Sequence, residues 1–305
     1  MTIFEFSQKF PDEESCRIDL RNLREQQGII CKKCQCIKHY WQSGRCQWQC
    51  SNCGFRTTLR SGTIMECSNL KILQWYKAMF LMTVTKKNIS ANEMKRQLGM
   101  KRYEPVWYMM HKIRAAMGNR DDSYNLHGAV EIDEGMFESV KSYSDTKSKR
   151  GRGSQRQSKI LVMAESEMVS GTKKYKYAKT RACGFFKMKK IQSFQADEIT
   201  SLVADFIDPN ASIISDGFKA YNKLLSVVNK HQPVVKQPSQ TVKLLPWVHI
   251  AIANSKRSLL STYHHVSYQY IQNYLNEFAY KLNRRNFGTN IFNRLLVAAV
   301  AAIWY

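Results

Sequence analysis

The sequence predicts a mixed α/β protein of several domains. Three observations carry this: two Cys-x-x-Cys pairs near the front, a helical middle, and a second half in which apolar strands end in acids. The pairs are Cys31-Lys-Lys-Cys34 and Cys50-Ser-Asn-Cys53. Two such turns about 15 residues apart fold toward each other and present four thiolates tetrahedrally, the spacing of a closed structural zinc site. Gly54 gives the second turn the tight backbone it needs. Cys36 and Cys46 lie inside the same stretch without a correctly spaced partner and are read as spares. Residues 1–66 are therefore expected to form a helical lead followed by a zinc ribbon. Pro11, Asp12 and Glu13 mark a helix start, and Ile18, Leu20 and Leu23 follow at near-helical spacing.

Residues 67–120 read as helices. Leu70 to Phe80 is amphipathic, a second stretch runs through Ile89, Met94 and Leu98 to a stop at Gly99, and a third covers Val106 to Met117. Short helix, glycine turn and longer helix form a helix-turn-helix pattern. From residue 127 the periodicity changes. Strands are expected at 129–133, 159–164 and 175–182, a helix at 196–206, a strand at 212–216, and helices at 218–229, 250–262 and 267–283. Lys147 to Arg156 is a basic loop, and 291–305 a C-terminal helix.

Charge points to the partner. The chain has 47 Lys and Arg against 24 Asp and Glu, a net +23, and after Lys219 its only acid is Glu277. Such an excess fits a polyanion, DNA above all. No stretch reaches the ~18 apolar residues of a membrane span, and no signal peptide opens the chain. The expected location is the cytoplasm, on the nucleoid of a bacterium, or the nucleus of a eukaryotic host.

The acids point to the chemistry. Asp133 ends one apolar strand and Asp216 another, with the order β-β-β-α-β between and around them. If those strands are neighbours in one sheet, their terminal carboxylates meet. Divalent ions held there could cut and join phosphodiesters, since magnesium favours carboxylates and keeps several waters. Glu134, next along the strand, is expected on the opposite face.

Several further pieces occur in a fixed order: Ser61-Gly-Thr-Ile64, Val130-Glu-Ile-Asp-Glu134, Arg150-Gly-Arg-Gly153, Ser215-Asp-Gly217, His249-x4-Asn254-x-Lys256, and Tyr274-Leu-Asn-Glu-Phe278 with Asn283-Arg-Arg285. With the cysteine pairs, this set resembles bacterial insertion-sequence transposases of the DDE type, in the branch with an N-terminal zinc ribbon. The resemblance spans about residues 10–290 and implies an RNase H-like catalytic domain over 125–290. It implies that Asp133 and Asp216 bind Mg2+ or Mn2+, with Asn254 at the third position beside Lys256. Glu277 is the rival third ligand, and its alternative role is an ion pair with Lys281. The resemblance also implies cleavage of DNA at element ends, strand transfer into target DNA, and a homodimer or larger assembly. Lys147, Lys149, Arg150, Arg152, Arg257, Arg284 and Arg285 are the expected DNA contacts. The chain departs from the family where Met136 and Phe137 follow Gly135, and where Ser261-Thr-Tyr-His-His265 replaces a Gly-Thr-x-His-Gly run. The alternative activities are a DNA-binding regulator derived from a transposase and a nuclease of the same fold.

Overall fold

A computed structural model describes residues 1–139, 157–168, 181–234, 245–263 and 266–301. Lys147, Lys149, Arg150 and Arg152, with the rest of the expected basic loop, lie outside the described residues. The chain divides into two compact units, residues 1–119 with 287–305, and residues 120–286.

In the first unit, α1 (Ile3–Lys9) opens on a Thr2/Glu5 capping box, and α2 (Glu13–Gln27) on Asp12, whose carboxylate accepts the Ser15 N–H at 2.8 Å. The helical lead is thus two helices, broken at Pro11 because proline has no N–H to continue the ladder. Three antiparallel strands follow: β1 (His39–Gln42), β2 (Gln47–Cys50) and β3 (Arg56–Thr58). Next come α3 (Ile72–Val84), α4 (Ala91–Gln97), a turn with Gly99 at φ +62°, and α5 (Glu104–Asp122), whose last residues enter the second unit.

The last helix among the described residues, Ile291–Ala301, belongs to this first unit and packs on α3. Its Phe292 ring sits within about 6 Å of the rings of Phe6, Phe10, Tyr76 and Phe80. The expected boundaries at 66, 120 and 290 therefore regroup. The first two segments and the end of the chain share one aromatic core, because none of them alone carries enough apolar surface to close it.

The second unit is a five-stranded sheet in the order β6-β5-β4-β7-β8. Here β4 is Ala129–Glu138, β5 Gln157–Met168, β6 Arg181–Ile191, β7 Ser212–Asp216 and β8 Lys230–Val234. The first three strands are antiparallel; β4–β7 and β7–β8 are parallel. Val130, Ile132 and Ile213 face one apolar layer with Ile199 and Val203 of α6 (Ala196–Phe206) and with a 3-10 turn at Lys219–Ser226. Phe137, Ile160 and Val162 face the other, under α7 (Pro246–Thr262) and α8 (Ile271–Asn283).

The strands differ from expectation in three places. The first does not end at Asp133 but runs on to Glu138 beside β5, so Asp133 lies within it. The third runs over 181–191 rather than 175–182, of which 169–180 lie outside the described residues. Its lysines disguise it: Lys187 is buried with Nζ on the Asp121 carbonyl at 2.7 Å, and Lys189 reaches Asp122 at 2.5 Å. Both ammonium groups also lie within 5 Å of the Phe206 ring centroid. The expected helix at 218–229 is a 3-10 turn followed by β8, a five-residue strand on the sheet edge, where Pro233 is tolerated.

One expected DNA contact is structural instead. Arg284 is 3% exposed and pairs with Asp121 at 2.5 Å, while Asn283 donates to the same carboxylate at 2.9 Å and accepts the Phe186 N–H. The Asn-Arg motif thus ties the end of α5 to β6 and α8. Arg284→Met is expected to strand the buried Asp121 carboxylate and cost about 3–5 kcal/mol, read as a shift of the urea unfolding midpoint. A midpoint within error of the parent protein would refute this role.

Candidate functional sites

The four sulfurs of Cys31, Cys34, Cys50 and Cys53 lie within 4.8 Å of one another, with Cys31–Cys53 and Cys34–Cys50 at 3.5 Å. The two turns are alike. Gln35 N–H bonds the Cys31 carbonyl and Gly54 N–H the Cys50 carbonyl, and both Gln35 and Gly54 have positive φ, 59° and 69°. Burial works to raise the Cys31 thiol, but the N–H groups of Cys34 and Lys33 outweigh it and bring it down to about 7. Cys53 is pushed up to about 12: the Phe55 N–H favours its thiolate, but burial and the three facing sulfurs prevail. Four thiols this close cannot all ionise without a cation among them.

The second cluster stands where the ladder between β4 and β7 ends. Parallel pairing of Ile132 with Ser215 makes Asp133 and Asp216 the next residues on adjacent strands. Carboxylate oxygens of Asp133, Glu134 and Asp216 lie within 4.8 Å of one another. Glu134 leaves β4 on the opposite face, as expected, beside Tyr221, yet its carboxylate still reaches the site. The β4–β7 ladder ends at Ser215, so Asp216 at the strand tip is reachable from both faces of β4. Burial raises Asp133 to about 6, with the Asp216 charge adding and Lys256 opposing. Burial raises Glu134 to about 7, opposed by the Tyr221 hydroxyl and assisted by the Asp133 and Asp216 charges.

Helix α7 supplies the rest. His249 Nδ1 lies 3.5 Å from Asp133 Oδ2, and its Nε2 is buried without a hydrogen-bond partner. Lys256 is seven residues on, two helical turns, and so on the same face. Its Nζ sits 5.4 Å from the Phe137 ring centroid. Asn254 lies about 160° around the helix from Lys256. It is exposed, and its Oδ1 accepts from Arg257 at 3.2 Å. The structure brings His249, not Asn254, to the acids. The i, i+7 spacing of His249 and Lys256 was the signal in the sequence; Asn254 and Lys256, two apart, could not share a face.

Glu277 does not reach the site either. It is fully buried on α8, which packs on β6 at the far side of the sheet, and lies 3.6 Å from Lys281. Another acid, unremarked in the sequence, sets the geometry: Glu131 is fully buried, and its Oε2 accepts the N–H groups of Trp247 at 2.8 Å and Val248 at 3.2 Å. The cap residue Leu245 gives α7 no side-chain bond, so β4 itself caps the helix that carries His249. Gly135 allows the close approach: a Cβ there would stand 2.8 Å from the Phe137 ring and 3.4 Å from Ile252 of α7. Arg257 and Arg285 are exposed.

A sheet with three antiparallel strands followed by two parallel ones, and acids side by side where the ladder of its central parallel pair ends, is the RNase H-like fold of transposases. Residues 125–283 match the ISXO2-like transposase domain, and the chain belongs to that family. An uncharacterized protein in transposable element ISH50 of Halobacterium salinarum is 25% identical over 217 residues, 67% of each chain. Among solved structures, the Mos1 mariner paired end complex with Mn is similar at a TM-score of 0.31 and 12% identity, over 70% of this chain and 75% of that one. The Mos1 transposase paired-end complex with left transposon end gives 0.30 and 11%, over 75% and 80%. Among the described residues no helix is long and apolar enough to cross a membrane.

Proposed function

We propose that this transposase cuts DNA at the ends of a mobile element and joins the freed 3′ ends to target DNA, using divalent ions held by Asp133, Asp216 and His249 with Glu134 beside them. The observation that carries the reading is the meeting of three carboxylates where the β4–β7 ladder ends, with the buried, unbonded Nε2 of His249 alongside. The fit to a cation is chemical: two of the acids are held above their ordinary range by burial and mutual repulsion, which a divalent charge would relieve. A bound metal pair would supply an activated water and stabilise the leaving oxygen. The chain's own groups orient the DNA. Lys256, an exposed cation on the same helix face as His249, holds a phosphate next to the scissile bond. Arg257 and Arg285 contact the backbone farther out. The four cysteines hold a structural zinc, and holding two element ends calls for a dimer or larger assembly.

Imidazole nitrogen binds Mn2+ more readily than Mg2+, which is a hard, oxygen-seeking ion. His249→Ala is therefore expected to lower cleavage about 100-fold, and His249→Glu to restore it with a preference moved from Mn2+ toward Mg2+. Equal activity of His249→Ala and the parent in both metals would remove His249 from the ligand set. The defining experiment supplies a labelled duplex carrying the inverted repeats that flank the coding region, either intact or pre-cut with a free 3′-hydroxyl. Cleavage plus joined product, both lost in Asp216→Ala, is the expected result. Cleavage without joining of the pre-cut end would make the chain a nuclease. Binding alone, untouched by Asp216→Ala, would make it a regulator.

A further inference from the structure

We infer that the outward face of the small three-stranded sheet reads base edges in the major groove of duplex DNA, through Gln49 and Arg56. The inference rests on the proposed recognition of element ends and says where that recognition is made. Trp41 and Trp48 take the inner face of this sheet. Arg21 of α2 lies 4.4 Å from the Trp41 ring centroid, Arg24 of α2 lies 5.2 Å from that of Trp48, and Glu25 accepts the Trp48 indole N–H. The outer face carries the alternate residues. Strand register places Tyr40 directly opposite Gln49, and Gln49 directly opposite Arg56, so one residue from each strand lines up in a row across the face. Tyr40 is 69% exposed, and Arg56 is exposed.

The middle of the row is preorganised. Gln47 donates its amide to Gln42 Oε1 at 2.7 Å, and Gln42 donates its own to Gln49 Oε1. The relay occupies the Gln49 oxygen and leaves its NH2 group, beside Gly54, as the end of the amide that can donate. With the Arg56 guanidinium beside it, the row presents hydrogen-bond donors. The outer strands stand roughly 10 Å apart, two spacings of about 4.8 Å, so the face fits a major groove about 12 Å wide. The acceptor edges available there are the N7 and O6 of guanine and the N7 of adenine.

Charge selects the same partner. Between Glu25 and Glu66 the sequence has no acid and six Lys and Arg. Lys32 pairs with Glu66 at 3.3 Å, but no acid lies within the ribbon sequence itself, so phosphates on either side of the groove would meet an excess of cations.

The test selects binding sites from a randomised duplex library with the full-length, zinc-containing parent, Gln49→Glu, Arg56→Ala, and Tyr124→Phe as a control in the other unit. Gln49→Glu keeps the oxygen that Gln42 bonds and replaces the amide donor with an acceptor. The expected result is a purine-containing motif for the parent, a switch toward cytosine at one position for Gln49→Glu, and roughly tenfold loss of preference at an adjacent position for Arg56→Ala. Zinc content and melting temperature unchanged from the parent establish that the variants are folded. A parent motif that both variants reproduce unchanged would overturn this assignment while leaving end recognition intact. A parent that enriches no motif would remove end recognition and this assignment together.

Discussion

Asp133→Asn is expected to lower strand cleavage by at least about 10³-fold and, in the absence of metal, to raise the melting temperature. The first effect follows from losing a ligand whose metal contributes several kcal/mol to the transition state. The second follows from the burial that pushes Asp133 from 3.8 to about 6. A carboxyl whose folded pKa is raised binds its proton more tightly in the folded state than in the unfolded chain. Stability is therefore full below about pH 4 and falls as pH rises toward about 6, by an amount on the order of 3 kcal/mol. Glu134, raised to about 7, extends the same decline upward. Above that window the metal-free protein carries the whole cost of its crowded charge, and Mn2+ or Mg2+ offsets it by binding only the folded state. Asp133→Asn removes roughly half of the pH dependence together with the activity, and Glu134 keeps the rest. Thermal melts of parent and variant from pH 4 to 8, with and without Mn2+, read all of this. A variant less stable than the parent at pH 7.5 without metal, or a parent whose melting temperature is flat across the window, would contradict it.

Cys50→Ser is expected to abolish zinc binding and unfold the ribbon. Its three strands span only four, four and three residues, and the thiols sit at the turns that hold them together. Sheets this small have no stability of their own, and structural zinc contributes roughly 10–16 kcal/mol of apparent binding free energy in comparable sites. One zinc per chain should be measured in the parent and none in the variant, with new protease cleavage confined to residues 31–58. The Trp48 indole loses its place against Arg24 and Glu25, so its fluorescence should shift to the red. Parent protein purified without zinc, and resistant to protease in a strong chelator, would sink the prediction.

Much of the local structure was written in short-range pattern. The α6 and β7 bounds, 196–206 and 212–216, follow from one-face apolar spacing and from alternation, which are properties of a few neighbouring residues. The β6 strand was harder because its lysines break the alternation, and they are tolerated only because the end of α5 and Phe206 receive their ammonium groups. Short β8 carries little periodicity and a proline, and it exists because β7 offers it an edge. The helix that ends the described chain has an apolar face that needs covering, but nothing in its residues says that α3 provides the cover.

The same division runs through the sites. By itself the sequence determined the four cysteines and the two aspartates on separate apolar strands, since each depends on spacing along the chain. Tertiary structure decided that Glu134 joins them, that His249 rather than Asn254 faces them, and that Arg284 is spent on Asp121 instead of DNA. Those outcomes depend on where one strand's pairing stops and on how a helix is rotated about its own axis. Both are set by contacts between residues far apart in the chain: the β4–β7 pairing, and above all the Glu131 carboxylate that fixes the start of α7.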